Sequence, residues 1–206
     1  MPIFTKNKKN ILFIHIPKCA GSSIEDAFKK NGYSISYLDR SGKTTLNHLR
    51  ECSPQHMDSK QLESIFNLSK FDEIFTIVRE PIARLKSEIG MRLRERYNGT
   101  EQQTDTWIKD TLLKYNANNY IFDNHIKPQS EFIVAGTDVF KFEDGVNNII
   151  KAIDSKYKLG FEFFENVHVF DRKEISGYSS SEICISEHST RLIEDFYNQD
   201  FVRFYK

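Results

Sequence analysis

The chain has 206 residues, with 29 Lys and Arg against 29 Asp and Glu. That length fits one domain with a sizeable core, expected to span 1–206. A formal net charge of zero excludes a general nucleic-acid or membrane-surface binder, which needs a basic bias. No apolar run reaches the roughly 18 residues of a membrane span. The opening MPIFTKNKKN lacks the apolar stretch and small-residue cleavage site of a secretory signal, so the expected location is cytoplasmic. Cys19, Cys52 and Cys184 are odd in number and far apart. No Cys/His spacing typical of a metal site occurs, and reduced thiols with no metal are expected.

The first predicted element is a strand at 11–16 (ILFIHI), stopped by Pro17. Lys18, Cys19 and Ala20 follow, and Gly21, Ser22 and Ser23 lead into a helix predicted over 22–31. A strand, a tight loop and a helix N-terminus together offer unpaired N–H groups and the positive end of a helix dipole. Lys18 adds a full positive charge inside the loop. The segment reads as a phosphate cradle, although an ordinary strand-to-helix turn with a surface lysine shares much of its pattern. It is not the nucleoside-triphosphate loop, in which Lys follows the second Gly; here Lys18 precedes Gly21 by three positions.

Further along, a strand is expected at 33–38, a polar loop at 39–57 and a helix at 58–67. A strand at 72–78, a helix at 81–96, a polar loop at 97–105 and a helix at 106–115 follow. An extended or helical patch covers 118–127, with a strand or turn at 131–134. The remainder reads as strand 138–142, helix 143–155, strand 166–170, loop 171–185 and helix 187–197. Strands alternating with helices predict an α/β fold, a P-loop-like three-layer αβα arrangement around a central, mostly parallel sheet. Ligands then bind beyond the carboxyl ends of the strands.

The stretch FDEIFTIVREPIARLKS repeats the logic of the first. Arg79 stands at the end of a buried-looking strand, Pro81 suits the first helical turn, and Arg84 and Ser87 share a helix face. Strand packing has no need for a guanidinium at position 79, whereas Arg92, Arg94 and Arg96 read as a solvated basic face. An arginine and a hydroxyl can hold one phosphate from two sides. Two anion sites at adjacent strand ends suit a ligand with two separated phosphate groups, which a nucleoside triphosphate is not.

The pair HIPKCAGSS and REPIARLKS resembles the cofactor signatures of sulfotransferases, most closely the carbohydrate sulfotransferases related to heparan 2-O-sulfotransferase and their bacterial relatives. The resemblance implies 3′-phosphoadenosine-5′-phosphosulfate (PAPS) as donor and adenosine 3′,5′-bisphosphate (PAP) as product, with a carbohydrate or other hydroxyl acceptor and no metal. It implies that Lys18, Cys19, Ala20, Gly21, Ser22 and Ser23 hold the 5′-phosphosulfate, and Arg79 and Ser87 the 3′-phosphate. Glu80 stands where Asp or Asn is commoner. Weaker likeness extends over DNHIKPQ at 123–129, Phe142-Glu143 and the closing DFYNQDFVRFYK. By the same resemblance Arg172, Lys173 and Ser176 lie in a loop folded over the adenosine; a plain surface loop fits them as well.

Transfer to a hydroxyl needs a base, and histidine suits neutral pH. Of the six histidines, His15 is expected partly buried behind the loop, and His168 and His188 read as structural or surface residues. His56 ends the polar loop, and relatives carry a basic His at a similar distance before the strand-end Arg. It is the chosen base, with His48 and His125 as alternatives; His48, His125 and Gln129 are candidate acceptor contacts. Arg40, Lys43, Arg50, Arg96 and Lys127 fall in the loops expected to form the acceptor cleft. Two other readings stay open: a P-loop nucleotide kinase or NTPase, and a non-catalytic nucleotide-binding protein on the same scaffold. The first would need a Mg²⁺-holding Asp where Arg79 stands.

Overall fold

The computed structural model describes residues 1–39, 50–164 and 179–206. The expected strand 166–170 and the residues Arg40, Lys43, His48, His168, Arg172, Lys173 and Ser176 lie outside the described residues. Strands β1 (Ile3–Lys6) and β2 (Lys9–Ile14) form a hairpin. Its turn residues Asn7 and Lys8 have φ of 51° and 66°, the backbone of a type I′ turn, whose twist matches that of paired strands. The sequence reading has no strand before residue 11, because 3–6 is short and its turn carries no glycine.

The chain continues through α1 (Gly21–Lys30), β3 (Ser34–Ser36), α2 (Ser59–Ile65), β4 (Glu73–Val78) and α3 (Pro81–Leu93). Next come α4 (Glu101–Ala117), β5 (Asp138–Lys141), α5 (Val146–Tyr157), α6 (Glu187–Phe196) and α7 (Asn198–Phe204). The sheet order is β3-β1-β2-β4-β5. β1 opposes both neighbours, so β3 runs with β2, while β4 is parallel to β2 and β5 to β4. Four of the five strands thus share a direction, the mostly parallel sheet that the alternation of elements predicts.

Ile11 to Ile14 are all fully buried, as are Phe75 to Val78. Successive strand residues point to opposite faces, so both faces are covered, which makes the fold three layers. Phe4, Phe13, Phe28 and Phe75 stack through the core, Phe4 on Phe28 at 3.9 Å and Phe13 on Phe75 at 4.9 Å between centroids. Each buried ring is worth about 1.5–3 kcal/mol. A second apolar cluster joins α3, α4 and α6 through Leu85, Ile89, Ile108, Ile193 and Tyr197.

Local caps explain several boundaries. Asp58 and Gln61 form a reciprocal capping box at α2. Glu80, the departure noted above, caps α3 by accepting from the N–H groups of Ile82 and Ala83 at 3.1 and 2.6 Å. Thr100 caps α4, so this helix begins at Glu101, inside the stretch read as a loop. Residues 118–127 form neither a strand nor a helix, and Gln129–Phe132 is a 3-10 turn. Among the described residues no helix is long and apolar enough to cross a membrane.

Candidate active site

The carboxyl ends of β2 and β4 lie side by side, because Ile14 pairs with Thr76. Beyond β2, Lys18 and Ala20 both have left-handed backbones, with φ of 73° and 63°, an uncommon state for residues with a side chain. Ala20 is the N-cap of α1 and supplies no capping side chain. Ser23 N–H turns back onto Ala20 O at 3.0 Å, which leaves the N–H groups of Gly21 and Ser22 as the donors of the helix N-terminus; left-handed residues of this kind build anion-binding nests. Gly21 is required by proximity: a Cβ there would lie 1.9 Å from His15 Nε2. Lys18 Nζ reaches Met91 Sδ at 3.7 Å, a weak acceptor. Cys19 is buried and its thiol is pushed up to about 12 by burial, consistent with a space-filling side chain whose contribution is its backbone.

At the end of β4, Arg79 is half-buried, and burial lowers its pKa. Its guanidinium lies 4.4 Å from the Phe142 ring centre and makes two long bonds, to Lys18 O at 3.5 Å and Ser180 Oγ at 3.4 Å. Among the described residues it has no ion pair. Ser87 is buried two turns along α3. Arg84 is spent differently: its buried guanidinium donates to the carbonyls of Pro17, Lys127 and His125 at 3.1, 3.0 and 2.9 Å, fastening the loop to the 125–127 segment.

Gln129, a candidate acceptor contact in the sequence, is fully buried. Its amide accepts from Arg79 N at 2.9 Å and donates to Arg79 O at 2.8 Å, and its Oε1 also takes the Cys19 thiol at 3.4 Å. Asp200 holds the Gln129 N–H at 2.7 Å. The residue is a strut between the two strand-end loops and, being fully buried, presents no surface to an acceptor. Lys127, placed by sequence in the acceptor cleft, is likewise fully buried, bound to Asp58 at 2.5 Å. Both corrections have one cause: a polar residue in a loop can be consumed by a partner distant in sequence.

Three histidines stand in a row. The His56 ring centre is 5.0 Å from that of His15 on one side and 5.0 Å from that of His125 on the other, edge to face in both cases. Each has a carboxylate at Nδ1: Glu25 for His15 at 2.8 Å, Asp123 for His56 at 2.7 Å and Glu88 for His125 at 2.7 Å. The first contact is close but off-axis for a hydrogen bond. The other two are hydrogen bonds.

Asp123 belongs to a turn in which Phe122, Asp123 and Asn124 are all left-handed, with φ of 53°, 60° and 62°. Asp and Asn tolerate that state best. The turn ties itself to His56 twice, through Asp123 and through Asn124 Nδ2 to His56 O at 2.8 Å. Ser53 adds its N–H and hydroxyl to the two oxygens of Asp123 at 2.5 and 2.7 Å.

Burial pushes His56 down to about 3, against the pull of the Asp123 hydrogen bond, and the neighbouring His15 and His125 push the same way. Asp123 is held below the usual carboxylate range; burial favours its neutral form, but the hydrogen bonds from His56 and Ser53 outweigh it. Glu88 is also lowered, with burial overcome by His125 and Arg92. With Asp123 ionised, the His56 proton sits on Nδ1 and the lone pair on Nε2. Sequence reasoning missed Glu25, Asp123 and Glu88 as partners; the only local signal was the quoted run DNHIKPQ, which contains Asp123 and His125 without saying what they face.

A family model described as the sulfotransferase family matches residues 1–206, the whole chain. No curated protein and no solved structure gives a significant match.

Proposed function

Because the chain belongs to the sulfotransferase family over its whole length, and so transfers a sulfuryl group, we propose that its donor is PAPS and its acceptor a carbohydrate hydroxyl, with His56 as the base. Residues 1–206 act as a single catalytic domain in this reading. The observation that carries it is the continuity from the anion loop to the base: Gly21 packs on His15, and His15 packs on His56.

The residues present fit a doubly phosphorylated donor. The loop Lys18–Cys19–Ala20–Gly21–Ser22–Ser23 combines helix N–H groups with an ammonium whose neighbour is a thioether, which suits the 5′-phosphosulfate. Arg79, with two long bonds, together with Ser87, suits the 3′-phosphate. Arg172, Lys173 and Ser176 are assigned to the adenosine on resemblance alone, as is His48 to the acceptor.

In the transfer, the acceptor oxygen forms a bond to sulfur while the bond from sulfur to the phosphate oxygen breaks. The electron pair leaves on that phosphate oxygen, and Lys18 and the loop N–H groups offset the charge. The acceptor proton goes to His56 Nε2, and Asp123 stabilises the imidazolium through Nδ1–H. The products are a sulfate ester and PAP. His125, edge-on to His56, is assigned to the acceptor. The carbohydrate class rests on the likeness to the heparan 2-O-sulfotransferase group. A kinase reading is disfavoured because β4 ends in Arg79 and not in a metal-holding Asp.

Two measurements test this. PAP should raise the melting temperature where ATP does not. Radiolabelled sulfate should pass from PAPS to members of a glycan panel and to none when His56 is alanine. Absence of stabilisation by PAP, or full transfer by the alanine variant, overturns the donor or the base respectively.

A further inference from the structure

We propose that His56, Asp123 and His125 form a site for a divalent transition cation of the zinc type, and that a cation seated there silences the enzyme. One ring nitrogen from each histidine and one oxygen of Asp123 lie within 4.8 Å of one another. Bonds of about 2.1 Å in a tetrahedron separate ligand atoms by about 3.4 Å, so the widest pair closes by about 1.4 Å, and the 2.7 Å hydrogen bond between His56 Nδ1 and Asp123 gives way as both turn to the cation. Two imidazoles and one carboxylate are a borderline-soft N,N,O set that suits Zn²⁺, and three protein ligands leave one position for water.

The surroundings resemble those of built metal sites. A ligating histidine is normally oriented by a carboxylate on its other nitrogen. Glu88 does this for His125 at 2.7 Å, is itself buried, and is fixed in turn by Arg92 Nε at 2.7 Å. Asp123 is held by both Ser53 donors. The cluster therefore brings two imidazoles, one of them pinned by Glu88, and two buried or half-buried carboxylates to one place, a field that favours a dication. Nothing in sequence spacing signals it, since one ligand is 67 residues from its partner.

Silencing follows from the lone-pair count. A neutral imidazole has one nitrogen lone pair, and coordination occupies it whichever nitrogen binds. His56 then has no pair left to take the acceptor proton. This second half rests on the reading of His56 as the base; the cation site itself does not.

The test is titration of the EDTA-treated full chain with ZnCl₂ by calorimetry and with CoCl₂ by visible absorption. The expected result is one equivalent bound, with cobalt bands of low-symmetry N/O coordination. Affinity should fall at least tenfold in both His125→Ala and the milder His125→Asn, each shown to be folded by its melt without metal. Zn²⁺ should raise the melting temperature of the parent chain and of neither variant. Failure of the parent chain to bind up to millimolar Zn²⁺, or unchanged binding in both variants, overturns the site. Binding that depends on His125 but leaves sulfate transfer intact keeps the site and removes His56 as the base. Loss of transfer in His56→Ala without zinc binding by the parent chain does the reverse.

Discussion

The two halves of the candidate active site are built on opposite principles. The donor half is contiguous: β2, six loop residues and the start of α1, with Arg79 reaching in from the next strand. Its two cations are lightly engaged: Lys18 touches a thioether and Arg79 makes two bonds of 3.4–3.5 Å. The base half is assembled from three distant segments, and its imidazoles and carboxylates are chained together: His56 on Asp123, Asp123 on Ser53, His125 on Glu88 and Glu88 on Arg92. An anion holder must keep donors free for a ligand that brings its own charge. A base must have every freedom removed except one lone pair.

The sharpest test of this contrast is to delete one member of each half. His56→Ala should cut kcat by about 10²–10⁴-fold, the usual worth of a positioned base, with PAP affinity within about twofold of the parent, because the donor half does not depend on it. Lys18→Ala should cut kcat by about 10²–10³-fold and also weaken PAP, though by less. Calorimetry with PAP beside steady-state rates separates the two; equal loss of PAP binding in both variants would mean the halves are one site.

Asp123→Asn keeps the shape of the turn while removing the charge that fixes the His56 tautomer. A kcat loss of about 10²–10⁴-fold is expected, up to that of the His56 deletion, since an amide in place of the orienting carboxylate favours the wrong tautomer while the Asn124 bond to His56 O keeps the backbone in place. KM for acceptor should barely move. A loss of folding in place of a loss of kcat would show that the aspartate is structural first.

The contrast also decides what could be read from sequence. The donor half was legible because its shape is local: a strand, a proline stop, small residues and a helix start lie within 13 residues of one another, and the mostly parallel sheet followed from the order of such units. The base half was legible only in part. The sequence singles out His15, His56 and His125 but does not give them Glu25, Asp123 and Glu88, since a carboxylate carries no local sign of which imidazole it will meet. Gln129 and Lys127 were misplaced for the same reason, buried polar groups being indistinguishable in sequence from exposed ones. The three-residue left-handed turn at 122–124 has no periodicity, and the polar opening of α4, EQQTD, has none either.

Between the halves lies the Gln129 strut, and breaking it should produce a smaller effect that acts through structure. Gln129→Ala strands the Arg79 N–H and C=O at a buried strand end, at about 1–3 kcal/mol. The urea midpoint should fall, and PAP affinity should fall with it, because Arg79 loses its anchor. Unchanged PAP binding in a destabilised protein would place Arg79 outside the donor half.

The last effect concerns pH. A histidine lowered from 6.5 to about 3 in the fold takes its proton first in the unfolded chain. Its contribution to stability is therefore present above pH 6.5 and drains as pH falls from 6.5 toward 3. Over that range the folded, metal-free enzyme keeps His56 neutral, so kcat/KM measured at sub-saturating donor should show no acid limb near 6.5 from this residue. Bound donor brings negative charge beside the ring and favours the imidazolium, so the limb seen in kcat at saturating donor should lie at higher pH than any limb in kcat/KM. A limb at 6.5 in kcat/KM that vanishes in His56→Ala would mean the imidazole is solvated in the free enzyme, and that the base half is less sealed than its hydrogen bonds indicate.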